Sequence, residues 1–203
     1  GQAFGRCLEL ALINVDSRNQ TYATYDGILY DKELTQAYVI PAGIRGPVRI
    51  PATMTIIPAN FFNECKYLKS VVFHDNITGI GDSAFAYCTG LETMTIGKGV
   101  TTIIGNAFAF AGNENTVINF AEDSKYAYVQ KDTFYRFTAA EINLPASAQT
   151  FDGEAFRMCT AEINFHEDST ITQIVNDMFK DWLGTSIELP QSVTTIGARA
   201  FMD

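Results

Sequence analysis

Long apolar runs, basic clusters and paired metal-type cysteines are all missing from this 203-residue chain. No apolar run approaches the roughly 18 residues of a membrane-spanning helix, so no direct membrane insertion is expected in this segment. The first residues carry no basic stretch followed by an apolar one, so no signal peptide is expected among them. Bases are scarce, at 14 Lys and Arg against 23 Asp and Glu. The resulting charge of -9 is uneven. Residues 1–100 hold 9 acids and 8 bases, net -1, and residues 101–203 hold 14 acids and 6 bases, net -8. A nucleic-acid binder needs clustered charge of the opposite sign, so nucleic acid is excluded as a direct partner, as is an anionic membrane surface. The acidic bias aids solubility or suits a basic partner. No Cys-x-x-Cys pair exists, so no zinc site is expected.

What the chain does have is a phrase, Ile-Gly-x-x-Ala-Phe-x-x-Cys, best seen at Ile80-Gly81-Asp82-Ser83-Ala84-Phe85-Ala86-Tyr87-Cys88. Its phenylalanine returns at Phe62, Phe85, Phe108, Phe134, Phe156, Phe179 and Phe201, in steps of 23, 23, 26, 22, 23 and 22 residues. A fixed period in this range is the mark of a solenoid, in which each coil buries its apolar side only against its neighbours. Short strands are expected at Val71-Val72-Phe73, Met94-Thr95-Ile96, Ile118-Asn119-Phe120, Ile142-Asn143-Leu144, Ile163-Asn164-Phe165 and Ile187-Glu188-Leu189. In each, two apolar residues flank a variable one, so the flanks point inward and the middle residue outward. Prolines at 51, 145 and 190 follow strands, where no ladder N–H is needed. A short helical turn carrying the Ala-Phe pair completes each coil. Gly81, Gly197 and the offset Gly105 suit tight backbone there. The Phe134 repeat substitutes Val129, Thr133 and Phe137 for Ile, Ala and Cys and follows the longest step, so an irregular coil is expected.

The cysteines fall on the same frame. Cys7, Cys65, Cys88 and Cys159 each follow a repeat phenylalanine (Phe4, Phe62, Phe85, Phe156) by three residues, a slot that elsewhere holds Ala111, Phe137 and Trp182. A slot so tolerant is a packing position, and the expectation is buried thiols. Cys65 and Cys88, in adjacent coils, are also within disulfide reach if their side chains face each other. His74 and His166 lie about four coils, or about 20 Å, apart and cannot share a metal. A Cys88–His dyad would need a thiol that the frame buries, so catalysis is not expected. The repeated acidic turns Phe120-Ala121-Glu122-Asp123-Ser124 and Phe165-His166-Glu167-Asp168-Ser169 offer too few oxygens for calcium, which takes six to eight. They read as solvated turns, and no cofactor is expected.

Residues 1–47 differ. Ala3-Phe4-Gly5-Arg6-Cys7 opens a partial repeat, and Ile13-Asn14-Val15 falls 11 residues after Phe4, where a strand belongs. Tyr25-Asp26-Gly27-Ile28-Leu29-Tyr30 then leads through Asp31-Lys32 to Tyr38-Val39-Ile40-Pro41, two apolar runs about a polar turn, which predict a β-hairpin. The expected organisation is therefore 1–47 as partial repeat plus hairpin insert and 48–203 as one continuous solenoid. Both ends fall inside a repeat without polar caps, which suggests a piece of a longer protein.

Leu189-Pro190-Gln191-Ser192-Val193-Thr194-Thr195-Ile196-Gly197-Ala198-Arg199-Ala200-Phe201 closely resembles the repeat of the BspA-like leucine-rich repeat family, and Asp26-Gly27-Ile28-Leu29-Tyr30 resembles its hairpin insert. The resemblance implies a right-handed leucine-rich-repeat coil with strands on a concave face and helical turns on the convex side. It further implies a secreted or cell-surface protein of host-associated bacteria with a role in adhesion, without catalysis.

Two outward columns would line such a concave face. One is Arg49, Val72, Thr95, Asn119, Asn143, Asn164 and Glu188; its neighbour is Ser70, Thr93, Val117, Glu141, Glu162 and Ser186. They read either as a groove for a protein partner, acidic towards its C-terminal end, or as a solvated face whose asparagines pair in a ladder. The candidate contacts are Arg49, Thr95, Asn119, Glu141, Asn143, Glu162, Asn164 and Glu188. Tyr22, Tyr25, Tyr30 and Tyr38 form a second candidate, an aromatic patch for glycan or protein, unless they pack the hairpin onto the next coil. A structural spacer that binds nothing is the reading from a different class.

Overall fold

The computed structural model describes residues 7–202, and among them are sixteen short strands and no helix. The strands begin with β1 (Tyr22–Tyr25), β2 (Ile28–Asp31), β3 (Ala37–Val39), β4 (Gly46–Arg49), β5 (Ile56–Ile57), β6 (Leu68–Val72), β7 (Gly79–Ile80) and β8 (Thr93–Ile96). They continue with β9 (Thr102–Ile103), β10 (Val117–Phe120), β11 (Tyr128–Val129), β12 (Glu141–Asn143), β13 (Thr150–Phe151), β14 (Glu162–Asn164), β15 (Gln173–Ile174) and β16 (Thr195–Ile196). From β4 onward the pairings are parallel, between successive coils of a solenoid of about seven turns.

The concave sheet is β8, β10, β12 and β14 side by side, with β4 and β6 paired before it. Alternation sets its faces: Met94 and Ile96 are buried while Thr93 and Thr95 are exposed. A second ladder runs along another side of the coil as β5-β7-β9, then β11-β13, then β15-β16. It breaks between β9 and β11, where the coil carries the longest repeat. Five of the six expected strands form, four with ends shifted by at most one residue and β6 beginning three residues earlier than expected. The sixth, Ile187–Leu189, does not. There the wide indole of Trp182 fills the corner slot and its Nε1–H takes Ala161 O at 3.2 Å, beside the start of β14. No strand pairing to the open edge of β14 follows in this coil.

The core is one cluster running the length of the solenoid. Its spine is the repeat phenylalanine. Phe62, Phe85, Phe108, Phe134, Phe156, Phe179 and Phe201 stack with successive centroids 5.0–5.6 Å apart and planes within 23°. Ladder spacing imposes that distance, since bonded backbones sit about 4.8 Å apart.

The expected helical turns around these rings are absent. Left-handed residues stand two before and two after the ring in most coils, for example Asn60 and Glu64, Ser83 and Tyr87, Asp132 and Arg136, Glu154 and Met158, Asp177 and Asp181. A left-handed residue ends a helix, so none can grow across the ring. The backbone donors alternate instead. Ala84, Ala86 and Cys88 donate within their own turn, to Gly81 O, Ser83 O and Phe85 O, while Phe85 and Tyr87 donate to Ala107 O and Ala109 O of the next coil. The turn is thus a third inter-coil ladder. Gly81 lies where a Cβ would sit 2.5 Å from Ala59 N, and Gly197 likewise 2.6 Å from Asn176 N, which explains glycine at these points.

The N-terminal segment departs from expectation in three ways. Ile13–Val15 is not a strand, although Ile13 N bonds Gly27 O at 2.8 Å. Cys7 is exposed, whereas Cys65, Cys88 and Cys159 are buried free thiols. The Ala3-Phe4 phrase lies outside the described residues. In place of a single hairpin, β1, β2 and β3 form a three-stranded antiparallel sheet. Its first turn is Asp26-Gly27, with φ of 46° and 80°, the two positive values of a type I′ hairpin.

Candidate functional site

The strands carry the two outward columns in register. Arg49 lies beside Val72, Thr95 beside Asn119, and Asn143 beside Asn164. Glu141 sits beside Glu162 in the neighbouring column. Thr95, Arg49, Glu162, Asn164 and Glu188 are exposed, while Asn119, Asn143 and Glu141 are half-buried.

Parallel pairing at matched positions makes the three asparagines a ladder. Asn143 Nδ2 donates to Asn119 Oδ1 and Asn164 Nδ2 to Asn143 Oδ1, both at 2.8 Å. The second Nδ2 hydrogen of Asn143 goes to Glu141 Oε2 at 3.2 Å. Asn143 therefore has no free donor, and the middle of this face is a braced floor. At the C-terminal end the carboxylates are freer. Glu162 Oε1 accepts from Ser186 Oγ at 3.2 Å, and among the described residues no cation pairs with Glu141, Glu162 or Glu188. A recess of about 210 Å³ lies between β14 and the last coil, lined by Asn164, Phe165, His166, Glu167, Glu188, Leu189, Pro190 and Gln191. A second, of about 390 Å³, opens where the sheet breaks between β6 and β8, around Val72, Thr93, Thr95 and Lys98. Arg49 belongs to neither: Asp26 accepts its backbone N–H at 2.7 Å and faces its guanidinium at 3.5 Å, so it braces the antiparallel sheet against β4.

The four candidate tyrosines are not one patch. Tyr30 is wholly buried, and burial pushes its hydroxyl pKa up. Tyr25 is half-buried. Tyr22 and Tyr38 are exposed and meet edge to face, centroids 5.6 Å apart.

The histidines are engaged locally. His74 Nε2 lies 3.1 Å from Pro51 O, and His166 Nδ1 accepts the N–H of Asp168. Among the described residues no three His, Cys, Asp or Glu side chains converge as a metal site would require. The buried thiols sit far from reactive poise. Desolvation pushes Cys65 and Cys159 up to about 12 and raises Cys88 as well.

One surface was not singled out in the sequence. Beside the phenylalanine spine, Tyr87 stacks on Phe110 at 4.9 Å, and Phe110 meets Tyr135 edge to face at 5.2 Å. The Arg136 guanidinium lies over both Phe110 and Tyr135, and Arg157 over Tyr135 at 4.3 Å. The signal was present in the column two residues after the repeat phenylalanine, which reads Glu64, Tyr87, Phe110, Arg136, Met158, Asp181.

A model of the BspA type leucine-rich repeat region matches residues 47–162 and 107–203, in six copies. Among solved structures, a leucine-rich repeat protein from Eubacterium ventriosum superposes with a TM-score of 0.71 at 23% identity. The match covers 97% of this chain and 53% of that one, so the chain spans about half the length of that relative. The T. pallidum leucine-rich repeat protein superposes with a TM-score of 0.61 at 18% identity, over 91% of this chain and 86% of that one. At such identities the likeness is one of fold. No curated protein matches the chain.

Proposed function

The chain belongs to the BspA-type leucine-rich repeat family, and on that premise we propose that it is a recognition module of a secreted or cell-surface bacterial protein, binding a protein partner on its concave sheet without catalysis. One observation carries this reading: the concave face is braced by side-chain hydrogen bonds and carries carboxylates without a cation partner among the described residues at one end. The asparagine ladder fixes the floor, Glu188 lines an open recess, and Glu141 and Glu162 stand side by side in the neighbouring column without a cation partner among the described residues. Braced polar floors lower the ordering cost of binding. Unpaired carboxylates steer a basic surface and make the association rate depend on salt. A partner with lysines or arginines spaced to the coil repeat fits this end of the groove.

The test is capture of the purified chain on an array of extracellular-matrix proteins and glycans, repeated with Glu162→Gln/Glu188→Gln and with Asn119, Asn143 and Asn164 all changed to Arg. A protein hit that weakens in both variants, with folding intact, supports the concave site. A protein hit indifferent to both variants removes it. Capture by glycans alone, lost in Tyr22→Ala/Tyr38→Ala, would instead favour carbohydrate recognition at the paired exposed tyrosines. No capture at all leaves the spacer as the better reading.

A further inference from the structure

The ridge formed by Tyr87, Phe110, Tyr135 and Arg136 has the composition that the concave columns lack, being rich in the residue types that anchor protein interfaces. Its charge is also unlike its surroundings. Of the six bases in residues 101–203, five (Lys131, Arg136, Arg157, Lys180 and Arg199) lie on this side of the coils, in the half of the chain with net charge -8. Four of those five are spent internally. Lys131 and Lys180 pair with Glu154, Arg157 faces Asp132 and Glu154, and Arg199 pairs with Asp177. Arg136 joins none of these pairs. It is exposed, lies 5.7 and 5.8 Å from the centroids of Phe110 and Tyr135, and donates Nε–H to Met158 Sδ at 3.4 Å. The guanidinium is thus positioned by rings and a thioether, with no carboxylate partner among the described residues.

Ring geometry narrows the partner. Tyr87 and Phe110 are parallel within 7°, so each covers one face of the other, and Arg157 covers a face of Tyr135. Among the described residues no second ring stacks on Tyr87, which is exposed, so its outer face is open to a partner. An apolar side chain packs against such a ring. A guanidinium fork matches a carboxylate in two parallel hydrogen bonds. We propose that this ridge is a second docking surface, independent of the concave face, for a protein segment that presents a glutamate or aspartate carboxylate to Arg136 with an adjacent apolar side chain against Tyr87 and Phe110.

The test uses an immobilised peptide library with a fixed central glutamate flanked by randomised aliphatic and aromatic positions, its glutamine counterpart, and hyaluronate as a carboxylate-bearing glycan. The expected result is retention of the chain by glutamate peptides over glutamine peptides by about tenfold, the effect of one charge-assisted pair. That preference should vanish in Arg136→Gln, fall in Arg136→Lys, which keeps charge but loses the fork, and survive in Glu162→Gln/Glu188→Gln. Tyr87→Ala, at an exposed position, should weaken retention of peptides with apolar flanks without unfolding the chain. No preference for glutamate, a preference unchanged in Arg136→Gln, or retention by hyaluronate instead of peptide would each overturn the proposal. Loss of concave-face binding would leave it intact, since the two surfaces share no residue.

Discussion

Truncating Phe108 to alanine isolates the interaction that defines this solenoid. The ring is wholly buried, with Phe85 at 5.1 Å on one face, Phe134 at 5.5 Å on the other and the edge of Phe137 at 6.0 Å. Phenylalanine-to-alanine changes in cores cost about 3–5 kcal/mol, the spread reflecting how far the site can collapse. Here collapse is blocked. The turns on either side are tied to their neighbours by Phe85 N–H to Ala107 O at 2.8 Å and Phe108 N–H to Thr133 O at 3.1 Å, so the coils cannot close over the gap. The expected loss is therefore near the top of the range, about 4–5 kcal/mol. Phe201 provides the control. It is 40% exposed and stacks on Phe179 alone, at 5.0 Å, so its truncation removes one ring pair and partial burial, about 1 kcal/mol. Urea titrations followed by Trp182 fluorescence and by circular dichroism would give both values. Equal losses for the two variants would refute the claim that two-sided stacking holds the coils together.

Asn143→Ala should cost about 1–1.5 kcal/mol in the same titration, because it breaks the ladder on both sides; the bare column pattern predicts almost no effect. Gly81→Ala should destabilise by about 1–3 kcal/mol through contact with Ala59 N and Pro58 C, while Gly46→Ala, with open space around its Cβ and a φ of 68°, should lose only the cost of a left-handed alanine, about 1–2 kcal/mol. Stability should decline as pH rises from about 9 towards 12. The buried thiols keep their protons in the folded state, with Cys65 and Cys159 pushed up to about 12, while in the unfolded chain they ionise near the ordinary value of 9.0. Replacing both with alanine should flatten that decline, and an unchanged slope of urea midpoint against pH would contradict burial as its cause. In the native state a thiol reagent should label Cys7 quickly and leave the other three cysteines unmodified until the chain unfolds.

The spine and the inward strand residues were legible because one physical demand, stacking, repeats with one spacing. Any residue that breaks the phenylalanine column opens a hole between two fixed coils. The helical turns fail through backbone angles. Ser83, Tyr87, Asp132 and Arg136 take left-handed φ without being glycine, and side-chain type alone does not announce that. The strand expected at Ile187–Leu189 fails for a different reason. Its alternation is sound, but a strand exists only where its backbone finds a ladder, and Trp182 takes over the corner from which pairing to β14 would start. The Asp26-Gly27 turn could have been read. The pair is the strongest short hairpin signal, and it stands between the apolar runs of β1 and β2.

The surfaces divide along the same line. The concave columns follow from period 2, so Asn119, Asn143 and Asn164 could be aligned from sequence, and both alternatives for them, groove and ladder, could be stated. Which donors stay free depends on rotamers, and the ladder uses both Nδ2 hydrogens of Asn143. The aromatic ridge is harder to see because only some of its members share one offset. Tyr87, Phe110 and Arg136 stand two residues after their phenylalanine, Tyr135 only one, and Arg157 joins from the next coil. The column two residues after the phenylalanine shows three of its members, and Tyr135 and Arg157 lie off that column. In a solenoid the repeat is dictated by the core, so the residues free to carry specificity are those that vary within it. The asparagine ladder is regular enough to be explained by packing alone. The Arg136 ridge occurs at one stretch of coils, beside the irregular repeat, and inter-coil packing does not require its unpaired guanidinium. That contrast makes the ridge the sharper place to look for a partner.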